Sequence, residues 1–204
     1  MKLMMSLVFV TLFSVTGFAQ ISNDETELNP FDPNIEQILN QMDQDYMDET
    51  GLSPYVEGFN ADEMVPDFMA NKCYRQSCAV WIRVVKSSQT AYFYQNGSHV
   101  ATWKVSTGAS GYGTPSFDRH PNGRIYDKYT STKYPEGDYR GLGNMPYAVF
   151  IQGGFAIHGT TEGNIKRLGT RASHGCIRLH PDNGRTFNRA VRAVGIYNTW
   201  ITVE

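Results

Sequence analysis

The chain has 204 residues, 41% hydrophobic, 13% aromatic and 19% charged, with a formal net charge of −2; that is length enough for a sizeable core without disulfides to replace one. The aromatic content excludes general disorder, and the near-neutral charge excludes a dedicated nucleic-acid binder, which is basic overall. No run of about 20 apolar residues occurs, so no ordinary membrane-spanning helix is expected in the mature form.

In chain order, MKLMMSLVFVTLFSVTGFAQ opens the sequence. Lys2, the apolar run 3–15 and the small-x-small site Gly17-Phe18-Ala19 read as a signal peptide over residues 1–19, which makes the mature chain an exported protein of the periplasm or cell envelope. Residues 20–70 then carry 13 Asp and Glu and no Lys or Arg, whereas residues 71–204 carry 17 Lys and Arg against 7 Asp and Glu. Such an asymmetry marks two regions with different jobs. Residues 20–78 are the acidic N-terminal segment. Within it Asn29-Pro30 and Asp32-Pro33 are breakers, and Asn34 caps a helix with Ile35, Ile38, Leu39, Met42 and Tyr46 on one face. Gly51 and Pro54 end that helix. Its apolar face needs something to cover. Two readings stay open: the segment folds over the basic domain and competes with anionic substrate, or it is a solvated spacer.

The three cysteines are Cys73, Cys78 and Cys176. An odd number in an exported chain leaves one thiol over. Cys73 and Cys78, in CYRQSC, are near enough to close a small disulfide loop, and Cys176 is the odd one out.

From Ala79 the pattern turns to period two. Residues 80–86, 90–95 and 98–105 read as strands, the last two joined by an Asn96-Gly97 hairpin. Residues 106–147 have no sustained period and read as a long irregular stretch, a length that is usually functional. A second hairpin, 148–152 and 155–158, surrounds Gly153-Gly154. Asp182 is expected to cap a helix bearing Phe187, Ala190, Val191 and Val194, stopped by Gly195, and 197–203 is a closing strand. Residues 79–204 thus read as a mostly β, β-rich α+β domain with a C-terminal helix.

Chemistry concentrates in 157–180, IHGTTEGNIKRLGTRASHGCIRLH. A thiol becomes a good nucleophile when a neighbouring imidazole takes its proton, and acyl transfer needs donors for the tetrahedral oxyanion, which backbone N–H groups beside the nucleophile can supply. Here two imidazoles could serve Cys176: His174, which on a strand would share its face, and His158, at the end of the preceding strand. Gly175 removes a side chain beside the thiol. Zinc is the competing use of one Cys and two His, but no C-x₂-C or H-E-x-x-H spacing occurs and a fourth ligand is unassigned. The plainest alternative is a pair of structural histidines around an inert buried cysteine.

SHGCIRL, preceded by a His-Gly pair 18 residues before the Cys, resembles the signature of the L,D-transpeptidase catalytic domain (YkuD-type) family. STGASGYGTPS and MPYAVFIQGGFAIHGT resemble that family's upstream segments, in the same order, and the resemblance covers residues 79–204. It implies an L,D-transpeptidase-like β-sandwich in which Cys176 is the nucleophile and His158 the general base, accompanied by His174. Ser173 and Gly175 would lie around the oxyanion and substrate groove, and Arg178 would hold substrate or shape the site. Gly159 stands where some members have Ser, so any group that orients His158 must be a backbone carbonyl or lie elsewhere in the fold. TPSFDRHPNGR replaces a shorter turn of the family, and its His120 reads as a surface loop residue.

The resemblance further implies a cysteine acyltransferase without metal or cofactor, acylated by peptidoglycan tetrapeptide stems with loss of D-Ala. The acceptor would be an amine on a second stem, a D-amino acid or an envelope protein, and carbapenems would acylate the same thiol. Water as acceptor would make it a hydrolase instead. A catalytically silent peptidoglycan-binding protein is the alternative of another class, against which the retained Cys176, His158, His174 and Gly175 argue. The basic residues Lys166, Arg167 and Arg171 beside the motif suit either substrate contact or a solvated loop.

Overall fold

The computed structural model describes residues 28–51, 53–54, 73–129 and 137–204. The signal-peptide reading of residues 1–19 lies outside them. Helix α1 spans Ile35–Thr50 and ends at Gly51, whose left-handed φ of 66° closes the last turn with a hydrogen bond to the Met47 carbonyl. Asn34 is its N-cap by position, although its side chain makes no capping hydrogen bond. Cys73 and Cys78 form a disulfide around a short 3-10 turn at Arg75–Ser77, which leads into the first strand.

The domain that follows holds two sheets. Strands β1 (Val80–Val85), β2 (Thr90–Gln95), β3 (Ser98–Lys104), β4 (Phe117–Arg119) and β8 (Thr199–Val203) form one, in the order β3-β2-β1-β8-β4. The other is β5 (Val149–Gln152), β6 (Phe155–Gly159) and β7 (Ile177–Leu179), in that order. Alternation in β1 and β2 points Val80, Ile82, Val84, Ala91 and Phe93 inward, where they meet Val149, Ile151, Ile157, Ile177 and Leu179 from the second sheet. After the short helix α2 (Glu162–Ile165), helix α3 (Pro181–Val194) adds Phe187, Ala190 and Val191 to the same core. This is the mostly β architecture with a C-terminal helix expected of the sequence.

Several local expectations change. Residues 106–147 are not wholly irregular: Phe117–Arg119 pairs antiparallel with β8 and forms the edge of the larger sheet. His120 is therefore not a surface loop residue. Its Nδ1 donates to the Thr199 carbonyl at 2.6 Å, and its ring packs on Trp200, so it ties that edge to the C-terminal strand. Helix α3 is capped by His180, whose Nδ1 accepts the Asp182 N–H at 3.3 Å; Pro181 takes the first helical position and moves Asp182 into the first turn. The closing strand starts at Thr199 because Ile196–Asn198 forms a 3-10 turn.

The second face of the β5-β6-β7 sheet is covered as well. Phe150, Ala156 and Cys176 on that face join Tyr126, Tyr129, Met145 and Ala148 in a second apolar cluster, which is closed by Leu28, Leu39, Met42 and Tyr46 from the acidic segment. Asp127 meets Arg189 of α3 through two hydrogen bonds of 2.6 and 2.7 Å, and Asn188 donates to the Tyr126 carbonyl at 2.8 Å. These bonds hold Tyr126 against α1, where its ring meets Tyr46 edge-on at 5.3 Å. Among the described residues no helix is long and apolar enough to cross a membrane.

Candidate active site

β6 and β7 are parallel neighbours, with Ile157 opposite Ile177 and His158 opposite Arg178. Ile157 and Ile177 face the main core, so the period of two turns His158 to the other face. Cys176, immediately before β7, belongs to that same face, where it packs with Ala156. The two residues, 18 apart in sequence, thus lie on the same side of the parallel β6-β7 pair.

His158 is fully buried, and its Nδ1 lies 2.7 Å from the Gly159 carbonyl oxygen. A carbonyl only accepts, so this contact places the proton on Nδ1 and leaves Nε2 as the basic nitrogen. The orienting group is therefore a backbone carbonyl, one of the two options the Gly159 substitution left. Gly159 itself is confined: a Cβ there would stand 2.9 Å from the Pro181 Cα and 3.0 Å from the Pro146 carbonyl oxygen. Its N–H donates to that same oxygen at 2.7 Å.

The SHGC segment is a bent loop rather than the strand on which His174 and Cys176 would share a face. Gly175 has φ +117°, a conformation that disfavours any side chain. Ser173 fixes the bend from inside, its hydroxyl donating to the Cys176 carbonyl at 2.5 Å and accepting the Gly175 N–H at 3.1 Å. The Gly175 N–H is thus engaged in the loop. Arg178 is buried and donates to the Ala172 carbonyl at 2.7 Å, so in this structure it shapes the loop. His174 is half-buried with its ring edge-on to Tyr112 at 4.8 Å. The Cys176 thiol donates to the Gly154 carbonyl at 3.4 Å. Lys166 and Arg171 are exposed and Arg167 is half-buried.

Sequence reasoning missed three contributors. Thr114 donates to the Gly175 carbonyl at 2.7 Å and accepts the Gly108 N–H at 2.9 Å, joining the 108–114 loop to the thiol loop. Tyr112 backs His174, and Phe155 lies against Gly175. Thr114 and Tyr112 fall in STGASGYGTPS, a segment whose resemblance flagged the stretch but not the residues. Among the described residues no three His, Cys, Asp or Glu side chains gather in a way that could hold a metal ion.

Residues 79–196, more than half of the chain, match the family model of the L,D-transpeptidase catalytic domain (YkuD). The protein belongs to this family of enzymes. Among solved structures it is similar to the LD transpeptidase LdtMt1 in complex with imipenem, at 24% identity and a TM-score of 0.51, covering 62% of this chain and 59% of that one. It is also similar to L,D-transpeptidase 3 from Mycobacterium tuberculosis in complex with a faropenem-derived adduct, at 20% identity and a TM-score of 0.50, covering 62% and 60% of the two chains. The chain thus spans about three fifths of the length of these structures, and the likeness is one of fold. A search of curated proteins found no match.

Proposed function

We propose that this protein is an exported cysteine L,D-transpeptidase that acts on peptidoglycan tetrapeptide stems. The observation that carries the reading is the contact between His158 Nδ1 and the Gly159 carbonyl. In the neutral ring it makes Nε2 the basic nitrogen, on the face that also bears Cys176, which is the arrangement a thiol nucleophile needs. Family membership and the envelope destination read from residues 1–19 agree with it.

The reaction then runs in two halves. His158 Nε2 takes the proton of Cys176, and the sulfur attacks the carbonyl carbon of the third stem residue. The Cys176 backbone N–H would serve as an oxyanion donor, since the Gly175 N–H is bound to Ser173. As the tetrahedral intermediate collapses the C–N bond breaks, His158 returns the proton to the leaving nitrogen, and D-Ala departs. An amine attacks the thioester, gives its proton to His158 and forms the new amide while sulfur leaves. Thr114, Ser173 and Arg178 position the loop that carries the sulfur.

Intact mass of the purified mature protein with a disaccharide-tetrapeptide, alone and with a D-amino acid, tests this. A Cys176 adduct with D-Ala release, resolved into exchanged or dimeric product, is expected. Tripeptide alone in the presence of amine would make water the acceptor and the protein a hydrolase.

A further inference from the structure

Cys176 is only 1% exposed, and part of what covers it comes from the acidic half of the chain. The covering has two parts. One is α1, whose Leu39, Met42 and Tyr46 complete the second apolar cluster. Its charges meet basic residues of the domain: Arg124 stands 3.3 Å from Asp43 and 3.8 Å from Glu36, and Lys128 stands 3.1 Å from Glu49. The backbone is tied too, for Ile125 donates to the Pro54 carbonyl at 2.8 Å.

The other part is the turn before α1. A Cβ on Gly175 would lie 3.2 Å from the Pro30 Cγ and 3.3 Å from the Phe31 Cε2; one on Gly154 would lie 2.8 Å from the Pro30 Cα. Gly154 supplies the carbonyl that the Cys176 thiol faces, and Gly175 precedes that cysteine. Pro30 and Phe31 therefore rest on both glycines that border the sulfur. Phe31 is held edge-on to Phe155 at 5.4 Å while 52% of it remains exposed, which adds little to a core. The turn is held locally, with Asp32 N–H on the Asn29 carbonyl, Ile35 N–H on the Asp32 carbonyl, and the Asn29 and Asp32 side chains accepting from Phe31 and Asn34.

We propose that residues 28–34 are a self-inhibitory tip which occupies the approach to Cys176, with α1 as its anchor. An attacking sulfur must come within about 3–3.5 Å of a carbonyl carbon. With Pro30 and Phe31 packed over Gly154 and Gly175, the tip stands where a stem peptide would approach the sulfur, so on this reading it lifts before acylation. The ion pairs give the anchor its address: acidic α1 engages Arg124 and Lys128, basic residues of the catalytic domain. The inference rests on the proposed role of Cys176 as nucleophile.

The test is made in the full mature chain. Wild type and P30G/F31A, whose α1 anchor is untouched, are treated with iodoacetamide under native conditions, and Cys176 modification is followed by intact mass. A rise of about tenfold or more in the alkylation rate is expected for the variant, as for a site released from a local closing equilibrium, and acylation by tetrapeptide should rise with it. Equal alkylation rates, or faster alkylation while tetrapeptide acylates both proteins at the same measurable rate, would overturn the inhibitory tip. If P30G/F31A fails to fold, F31A alone is read the same way, with a rise of about threefold expected. Alkylation needs no peptidoglycan, so the two readings separate. Faster alkylation of a variant that tetrapeptide never acylates removes the proposed function and keeps a cover on the thiol; wild type acylated as fast as the variant removes the tip and keeps the function.

Discussion

The hydroxyl of Thr114 bridges Gly108 and Gly175, accepting an N–H from the first at 2.9 Å and donating to the carbonyl of the second at 2.7 Å. This buried side chain thereby joins the loop that follows β3 to the loop that carries Cys176, beside the backbone bonds from Ala109 to Ser173 and from Ser173 to Thr107. Thr114→Val keeps the shape and leaves both backbone groups unpaired, a loss of about 1–3 kcal/mol in stability. The displaced thiol loop should lower kcat/KM by about ten- to a hundredfold. Thr114→Ser should restore most of both, read by thermal unfolding and by acylation rate.

His158→Ala should leave the fold intact and slow acylation by about 10²–10⁴-fold, the ordinary worth of a positioned base. Cys176→Ser should give no mass adduct with tetrapeptide. Circular dichroism of both variants matching wild type, together with those rates, is the expected result.

Gly159→Ser, which installs a residue found in some relatives, should not be tolerated here. Its Cβ would press on Pro181 Cα and Pro146 oxygen at 2.9 and 3.0 Å, both backbone atoms. The overpacking should cost about 1–3 kcal/mol, and it should disturb the carbonyl that orients His158. A lowered unfolding midpoint with a larger drop in kcat than in KM is expected.

Asp43 and Arg124 have side chains only 8% and 13% exposed. Asp43→Ala would leave the guanidinium without its nearest carboxylate in a poorly hydrated place, and breaking a buried pair in that way costs about 3 kcal/mol. The loss should fall on α1 first. Hydrogen–deuterium exchange should show lost protection over residues 35–50 while β1 to β3 keep theirs.

Asp118 links the disulfide turn to the sheet. Burial pushes its carboxyl up, but hydrogen bonds from Arg75, Trp200, Thr202 and Tyr74 outweigh that and lower it from an ordinary 3.8 to about 2. A folded value below the unfolded one means the carboxylate stabilises the native state fully above about pH 4, and this contribution is lost as pH falls from there through about 2. Asp118→Asn should lower the melting temperature at pH 7 and flatten its decline between pH 4 and 2. An equal decline in both proteins would refute the assignment.

The first strands were legible where one face carries apolar residues and the other larger or polar ones. Val80, Ile82 and Val84 alternate with Trp81 and Arg83, and Asn96-Gly97 forces the next hairpin, so β1 to β3 could be read to within a residue or two. β4 was not legible. Three residues between Pro115 and Pro121 have no period of their own, and their pairing with β8 is decided by contacts some 80 residues away. The shift of the α3 cap from Asp182 to His180 follows from Pro181, whose fixed φ suits the first helical position. At the site, the motif drew attention to His158 and Cys176, while the bend at Gly175 could not be read because glycine in a sequence does not announce its φ. Thr114 escaped for a similar reason: its partners stand 6 and 61 residues away, beyond any local pattern. The α1 face was visible as a stripe in need of cover; where its preceding turn would rest was not.

The seat of Pro30 and Phe31 on Gly175 also bears on redox chemistry. This chain carries one disulfide and one lone thiol, a combination open to exchange within or between molecules wherever oxidants are present. Exchange requires one sulfur to reach another in line, and peroxide must touch the sulfur to make a sulfenic acid. Beneath the turn, Cys176 offers neither approach. The packing that closes the site would also keep that thiol reduced wherever oxidants are met, until the turn lifts.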